Sequence, residues 1–115
     1  MRFVLLLAIL AVAFGTIQAG RAMTGEAHTV SAKSAAVLFA KNCASCHGKD
    51  GRAKTLKGKL KHARNLTDPT WQGNVGDERL FNAVMNGKGK MPAYGKKLSE
   101  PQIDSLVSYV RALKK

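Results

Sequence analysis

Residues 43 to 47 read Cys-Ala-Ser-Cys-His, and this C-x-x-C-H pattern is the most informative feature of the chain. Two cysteines one helical turn apart can each form a thioether bond with a vinyl group of the same porphyrin. The histidine that follows is then held beneath the iron, and a proximal histidine is a common protein ligand of haem iron. The pattern therefore predicts covalent attachment of one c-type haem through Cys43 and Cys46, with His47 as an iron ligand.

The same two cysteines have other interpretations. A bare C-x-x-C pair also occurs in redox-active dithiols, in zinc sites and in structural disulfides. A zinc site needs further strong ligands, and beyond His47 the sequence offers only His28 and His62, with no third cysteine. A thioredoxin-like site lies within an alternation of strands and helices, which this sequence does not have. A basic protein without haem, in which Cys43 and Cys46 form a disulfide, remains an alternative.

The first residues are typical of an exported protein. Arg2 precedes twelve consecutive apolar residues, Phe3 to Phe14, and this run is shorter than the roughly 20 residues that span a bilayer. We therefore interpret residues 1–19 as a secretory signal peptide that is cleaved near Ala19 or Ala22. This interpretation predicts a periplasmic or otherwise exported protein with no stable membrane insertion after cleavage.

The rest of the chain reads as short helices separated by glycine and proline. Residues 20–32 lack a sustained period and predict a flexible lead-in, whereas residues 33–115 form one domain. One helix is predicted from about residue 33 to the cysteine motif, a second is capped by Asp77, and a third begins with a capping box at Ser99. No stretch of period-two alternation is long enough for a strand. The sequence therefore predicts an all-α fold.

A second residue that points to haem chemistry is Met91, which lies in the glycine-rich segment Asn86–Tyr94 and is followed by a proline. A thioether sulfur binds haem iron without adding charge, and opposite a histidine it raises the reduction potential. Met91 is therefore our candidate for the distal ligand. Met85 follows helical spacing and is better interpreted as a packing residue. His62 lies in a lysine-rich run and is interpreted as a solvated side chain.

Residues 33–115 resemble the small class I c-type cytochromes of bacteria and photosynthetic organelles. The resemblance rests on the segment LFAKNCASCHGKDG, on the segment GKGKMPAYGKKLSEPQIDSLVSYV, and on their order along the chain. It implies a compact all-α fold of three to five short helices around one covalently attached haem. It also implies that the first and last helices cross near Phe39 and Tyr109.

The resemblance further assigns residues to the haem. It implies that Cys43 and Cys46 form two thioether bonds. It also implies that His47 is the proximal iron ligand and Met91 the distal one. Leu66 stands where the family packs a leucine on the haem. Many relatives have a proline two residues earlier, whose carbonyl orients the proximal histidine; this chain has Arg64, whose carbonyl is able to accept the same bond. Trp71 is a candidate donor to a haem propionate, or else an ordinary packing aromatic.

The chain is strongly basic, with a formal net charge of +12. Seven basic residues lie between Lys49 and Arg64, against the single acid Asp50. Such a segment attracts nucleic acid, anionic lipid or an acidic protein, or it is a solvated loop without a partner. Export and the lack of interleaved aromatic residues argue against nucleic acid. We therefore predict that acidic redox proteins dock on the segment Lys49–Arg64.

Together these features predict a diffusible periplasmic electron carrier, expected as a monomer, which moves one electron between larger redox proteins. It would not be an enzyme, since filled axial positions leave small ligands no free iron site. The alternative is a haem-based sensor of small ligands or a small peroxidase, which needs an open or labile sixth position. The sequence does not identify the donor or the acceptor. It also does not decide between a free carrier and a subunit of an oxidase or dehydrogenase.

Overall fold

The computed structural model describes residues 31–115. Within that range the regular structure is helical, and the six helices are α1 (Ala32–Asn42), α2 (Ala44–His47), α3 (Leu56–Lys61), α4 (Pro69–Asn74), α5 (Asp77–Asn86) and α6 (Glu100–Ala112). The predicted all-α class is confirmed. The predicted signal peptide and nearly all of the predicted lead-in lie outside the described residues. Among residues 31–115, no helix combines the length and the hydropathy that crossing a bilayer requires.

Local sequence explains where most helices begin. The hydroxyls of Ser31 and Thr55 and the carboxylate of Asp68 each accept backbone amides from the first turn of α1, α3 and α4. These are the side chains that cap helix N-termini best, because they satisfy amides that have no partner inside the helix. At α6 the predicted capping box is complete, since Ser99 and Gln102 each bond the backbone of the other.

Two boundaries differ from those that the sequence predicts. The helix expected to carry the cysteine motif breaks at Cys43, where φ is −115°, and α2 begins afresh at Ala44. The N-cap of α5 is Gly76, and Asp77 is its first helical residue. The Asp77 carboxylate instead accepts a hydrogen bond of 2.7 Å from Arg111 of α6. The break at Cys43, together with the short helices α3 and α4, accounts for six helical segments where three to five were expected.

The core is built on the packing of α1 against α6. The rings of Phe39 on α1 and Tyr109 on α6 have centroids 4.9 Å apart, so the predicted crossing is confirmed. Phe39 and Leu106 are fully buried and share one apolar cluster with Ala44 and Leu66. Because Ala44 lies inside the cysteine motif, this cluster anchors the motif on the α1–α6 pair.

Polar contacts fasten α6 to α4. The buried amide of Gln72, only 5% exposed, donates to the carbonyls of Leu66 and Val110 at 2.7 and 2.8 Å. Arg111 donates to the carbonyls of Gln72 and Val75. A buried donor that lost either carbonyl would carry a desolvation cost of roughly 1–3 kcal/mol, so these contacts fix the last helix in one position.

Candidate haem-binding site

The imidazole of His47 is oriented by the backbone of another segment. Its Nδ1 lies 3.0 Å from the carbonyl oxygen of Arg64, and it donates because a carbonyl only accepts. This hydrogen bond selects the tautomer whose Nε2 lone pair is able to bind a metal. Burial lowers the pKa of His47, and the bond to Arg64 opposes that shift. The contact expected of the Arg64 carbonyl is thus present without the proline that many relatives have there.

Cys43 and Cys46 are the first and fourth residues of the five-residue motif. Both are free and half-buried. Burial, reinforced by the neighbouring Cys46 thiol, raises the pKa of the Cys43 thiol to about 11. Two adjacent thiols next to an oriented imidazole are the donor groups that covalent haem attachment needs. The residues present therefore fit a haem c.

The short helix α3 covers the backbone of the cysteine motif. Gly58 is buried at its centre, and an ideal Cβ there would overlap the carbonyl oxygen of Cys46. The Thr55 hydroxyl donates to the carbonyls of Ser45 and Cys46, at 2.9 and 3.0 Å, and accepts the amide of Gly58. Only glycine permits so close an approach of two backbones. The sequence alone does not reveal this role, because a single glycine among lysines reads as a weak helix position.

A tight backbone turn positions Met91. Lys88 and Met91 exchange two backbone hydrogen bonds of 3.1 and 2.9 Å across the turn. Gly89 lies at its first central position with φ of +57°, which suits a two-residue hairpin turn. Gly87, just before the turn, has φ of +76°, and a Cβ there would lie 2.7 Å from the carbonyl oxygen of Met91. Two glycines thus hold the half-buried Met91 outside any helix.

Tyr94 connects the Met91 turn to the cysteine motif. Its hydroxyl donates to the carbonyl of Asn42, at the end of α1, over 2.8 Å. Burial raises the pKa of Tyr94, and the thiols of Cys43 and Cys46 add to the shift. The structure therefore joins the segment that follows Met91 to the end of α1, directly before the cysteine motif. Nothing in the sequence pattern marked Tyr94, apart from its position three residues after Met91.

We expect Tyr94→Phe to weaken this connection. Without the hydroxyl, the Asn42 carbonyl loses its donor, and the free energy of unfolding should fall by about 1–2 kcal/mol. Tyr109→Phe is the matched control, because it removes the same atom while the ring stays against Phe39. Denaturant unfolding of the haem-bound proteins measures both. Equal losses in the two variants would contradict a specific role for the Tyr94 hydroxyl.

The remaining predicted residues lie around the same cluster. Leu66 is buried within it, and the half-buried Trp71 packs against it with the Arg64 guanidinium 5.8 Å from the centroid of its indole. Packing of Leu66 on a haem and donation by Trp71 to a propionate stay predictions. His62 is exposed at the end of α3, as interpreted from the sequence. Met85 lies on α5 against a loop glycine.

Comparisons with known sequences identify the family of the chain. A family model described as cytochrome c oxidase, cbb3-type, subunit III matches residues 30–110. The Cbb3-type cytochrome c oxidase subunit FixP of Azorhizobium caulinodans is 38% identical over 96 residues, which cover 81% of this chain and 31% of that protein. Cytochrome c6 of Aphanizomenon flos-aquae is 37% identical over 81 residues, covering 67% of this chain and 84% of the cytochrome. The chain thus spans about a third of the length of the FixP protein that it matches.

Comparison with solved structures gives the same result. The KustC0563 c-type cytochrome superposes with a TM-score of 0.65 at 33% sequence identity, over 70% of this chain and 98% of that one. Fold, donor groups and sequence matches thus agree. The chain belongs to the cbb3-type cytochrome c oxidase subunit III family and is a small class I c-type cytochrome, which binds haem c covalently.

Proposed function

We propose that this protein is a one-electron carrier of the periplasm, which passes electrons between larger redox proteins and catalyses no reaction of its own. The observation that supports it most is that hydrogen bonds hold two separate segments at one site. The His47 ring is fixed by the Arg64 carbonyl, and the Met91 turn is tied to the same motif through Tyr94. Haem c supplies the reversible ferrous–ferric couple.

In this proposal each residue at the site has one task. Cys43 and Cys46 bind the haem through thioether bonds, His47 is the proximal iron ligand and Met91 is the distal one. The hydrogen bond at Nδ1 fixes the plane of the ring and raises the basicity of Nε2. A neutral thioether on the other side adds no charge, which favours the reduced state. Ligands that stay bound in both oxidation states need little rearrangement when an electron arrives.

Leu66 and Trp71 complete the proposed surroundings of the haem. Leu66 would pack its side chain against the porphyrin, and the indole nitrogen of Trp71 would donate to a propionate. Their support is position, because Leu66 belongs to the apolar cluster that contains Ala44 of the cysteine motif and Trp71 packs against that cluster. An indole suits the edge of such a site, since it has an apolar body and one polar donor.

The proposed partners are acidic redox proteins that dock on the segment Lys49–Arg64. All seven basic side chains of this segment are exposed. Its one acid, Asp50, lies 4.0 Å from Arg52 and offsets little of the charge. Complementary charge raises association rates and makes them sensitive to salt. Export by residues 1–19 would place a monomeric carrier in the periplasm, and the match to oxidase subunits also suits a carrier that works as part of such a complex.

Absorption spectra of the haem-bound protein test the proposal. The protein is produced in a host that attaches haem c, and carbon monoxide is added to the reduced sample. We expect a c-type spectrum with the far-red sulfur-to-iron band in the ferric state and no response to carbon monoxide. A shift with carbon monoxide would favour the sensor or peroxidase. A mass without covalent haem would refute the proposed attachment.

Gly87→Ala should displace the proposed distal ligand. The new methyl group would lie 2.7 Å from the Met91 carbonyl and 3.0 Å from the Ala93 amide, and φ of +76° strains any alanine. We expect the sulfur-to-iron band to weaken or disappear. Gly89→Ala is the control in the same turn, because its Cβ meets open space and its positive φ costs only about 1–2 kcal/mol. An unchanged band in Gly87→Ala would contradict the role of this turn.

A further inference from the structure

Two leucines on α3 are exposed. Leu56 and Leu60 have 76% and 66% of their surface in solvent and lie one helical turn apart. Residues two positions from Gly58 point to the opposite side of the helix, because each step turns it by about 100°. Gly58 faces the carbonyl of Cys46. The leucines therefore point away from the haem motif and into solvent.

Basic side chains surround this leucine pair. Lys90 of the Met91 turn reaches the same helix, where its Nζ lies 3.3 Å from the carbonyl oxygen of Leu60. No acidic residue occurs between Arg52 and Arg64. We call the surface the α3 face and define it as Lys54, Leu56, Lys57, Lys59, Leu60, Lys61 and Lys90. It is apolar at its centre and cationic at its edge.

The α3 face contains no acidic residue. From residue 65 onward, acids occur only in and beside the helices α4, α5 and α6, as Asp68, Asp77, Glu78, Glu100 and Asp104. A single exposed leucine needs no explanation. Two neighbouring leucines inside a ring of lysines have the arrangement of a protein interface, with an apolar centre and a polar rim. Complementarity then requires carboxylates on the partner.

We propose that the α3 face docks an acidic protein, whose carboxylates meet the lysines and whose apolar side chains cover Leu56 and Leu60. The inference rests on the proposed electron transfer. It narrows the proposed docking site from the segment Lys49–Arg64 to one surface. The opposite side of α3 contacts the backbone of Cys46 through Gly58, and Lys90 joins the α3 face to the Met91 turn. A protein seated there lies next to the helix that covers the cysteine motif and next to the Met91 turn, whereas a lipid surface seated there would block the approach of a redox partner.

The test uses the haem-bound protein and respiratory membranes of the source organism. The rate at which these membranes oxidise or reduce the protein is measured against its concentration. The double variant Leu56→Ser/Leu60→Ser should raise KM about five- to tenfold, as the loss of a central apolar contact does, with kcat nearly unchanged. Val37→Ser is the control, because Val37 is an apolar residue on α1 that is 61% exposed. It should leave KM unchanged.

Charge reversal tests the lysines separately. Lys57→Glu/Lys61→Glu should raise KM at low ionic strength and lose that effect near about 0.5 M salt, where charges are screened within a few ångströms. Lys33→Glu/Lys41→Glu, on α1, has the same change in net charge and should have a smaller effect. Equal effects of the two pairs would show that net charge acts and not the α3 face, and would overturn the proposal.

Three further outcomes would overturn the inference. The first is an unchanged KM in the leucine variant. The second is an altered haem spectrum in that variant, which would show that the leucines pack on the haem. The third is loss of binding to protein-free vesicles of phosphatidylglycerol and phosphatidylcholine in proportion to the rise in KM, which would identify a lipid surface. A wild-type protein that the membranes neither reduce nor oxidise would instead refute the proposed function itself.

Discussion

Met91→Ala should lower the reduction potential by on the order of 0.1–0.2 V, within the roughly 0.8 V range that axial ligands cover. Loss of the thioether removes the ligand that favours the reduced state opposite a histidine. The sixth position of the iron should then accept small ligands. Redox titration measures the potential, and carbon monoxide added to the reduced protein should shift its absorption spectrum.

Met85→Ala is the matched control for this experiment. Met85 lies on α5 and its sulfur rests against Gly95, outside the Met91 turn. Its loss should reduce the free energy of unfolding by about 1–3 kcal/mol through lost packing, with the potential and the carbon monoxide response unchanged. An unchanged potential in Met91→Ala, together with no binding of carbon monoxide, would show that another residue is the distal ligand.

Gly58→Ala should destabilise the protein by about 3 kcal/mol or more, although alanine favours a helix over glycine by about 1 kcal/mol. The new methyl group would overlap the carbonyl oxygen of Cys46. The methyl carbon is bonded directly to the backbone of α3 and the carbonyl belongs to the backbone of the motif, so α3 must move away from the motif. The bonds of Thr55 to Ser45 and Cys46 are then lost as well. Thermal unfolding of the haem-bound protein measures the effect.

Gly73→Ala is the control for the glycine substitution. Gly73 lies in α4, and a Cβ there would meet nothing within 4 Å. The substitution should therefore be neutral or stabilise the protein by up to about 1 kcal/mol. If the two alanine variants unfolded at the same temperature, α3 would not be seated on the cysteine motif as the structure describes.

The helices that could be predicted from the sequence are those with a local signature. The α6 helix has a capping box at Ser99 and a row of apolar residues at helical spacing, so its start and its buried face both follow from nearby residues. The α3 helix has neither advantage. It is six residues long and its leucines face solvent, so no apolar face marks it. Its position depends on the contact of Gly58 with Cys46, which only the folded chain contains.

The contacts of the candidate site also differ in whether a local sequence pattern predicts them. The pattern Cys43 to His47 lies within five residues, so its chemistry could be predicted directly. The bond between Tyr94 and Asn42 joins positions 52 residues apart, and no local pattern encodes it. The partner of His47 is a backbone carbonyl, which every residue has, so the side chain of Arg64 gives no sign of it. The resemblance to a family pointed to that carbonyl where residue chemistry could not.

The two segments that carry the proposed iron ligands differ in how much of the structure must unfold before each ligand is released. His47 lies three residues after Ala44, which belongs to the apolar cluster that joins α1 to α6. Met91 lies on a short surface turn. Amide hydrogens of α1 and α6 should therefore exchange with solvent only when the whole chain unfolds, and those of the Met91 turn through cheaper local openings. In mild denaturant Met91 should dissociate from the iron first, and it should rebind when the denaturant is removed. His47 should stay bound to the iron until α1 and α6 unfold together.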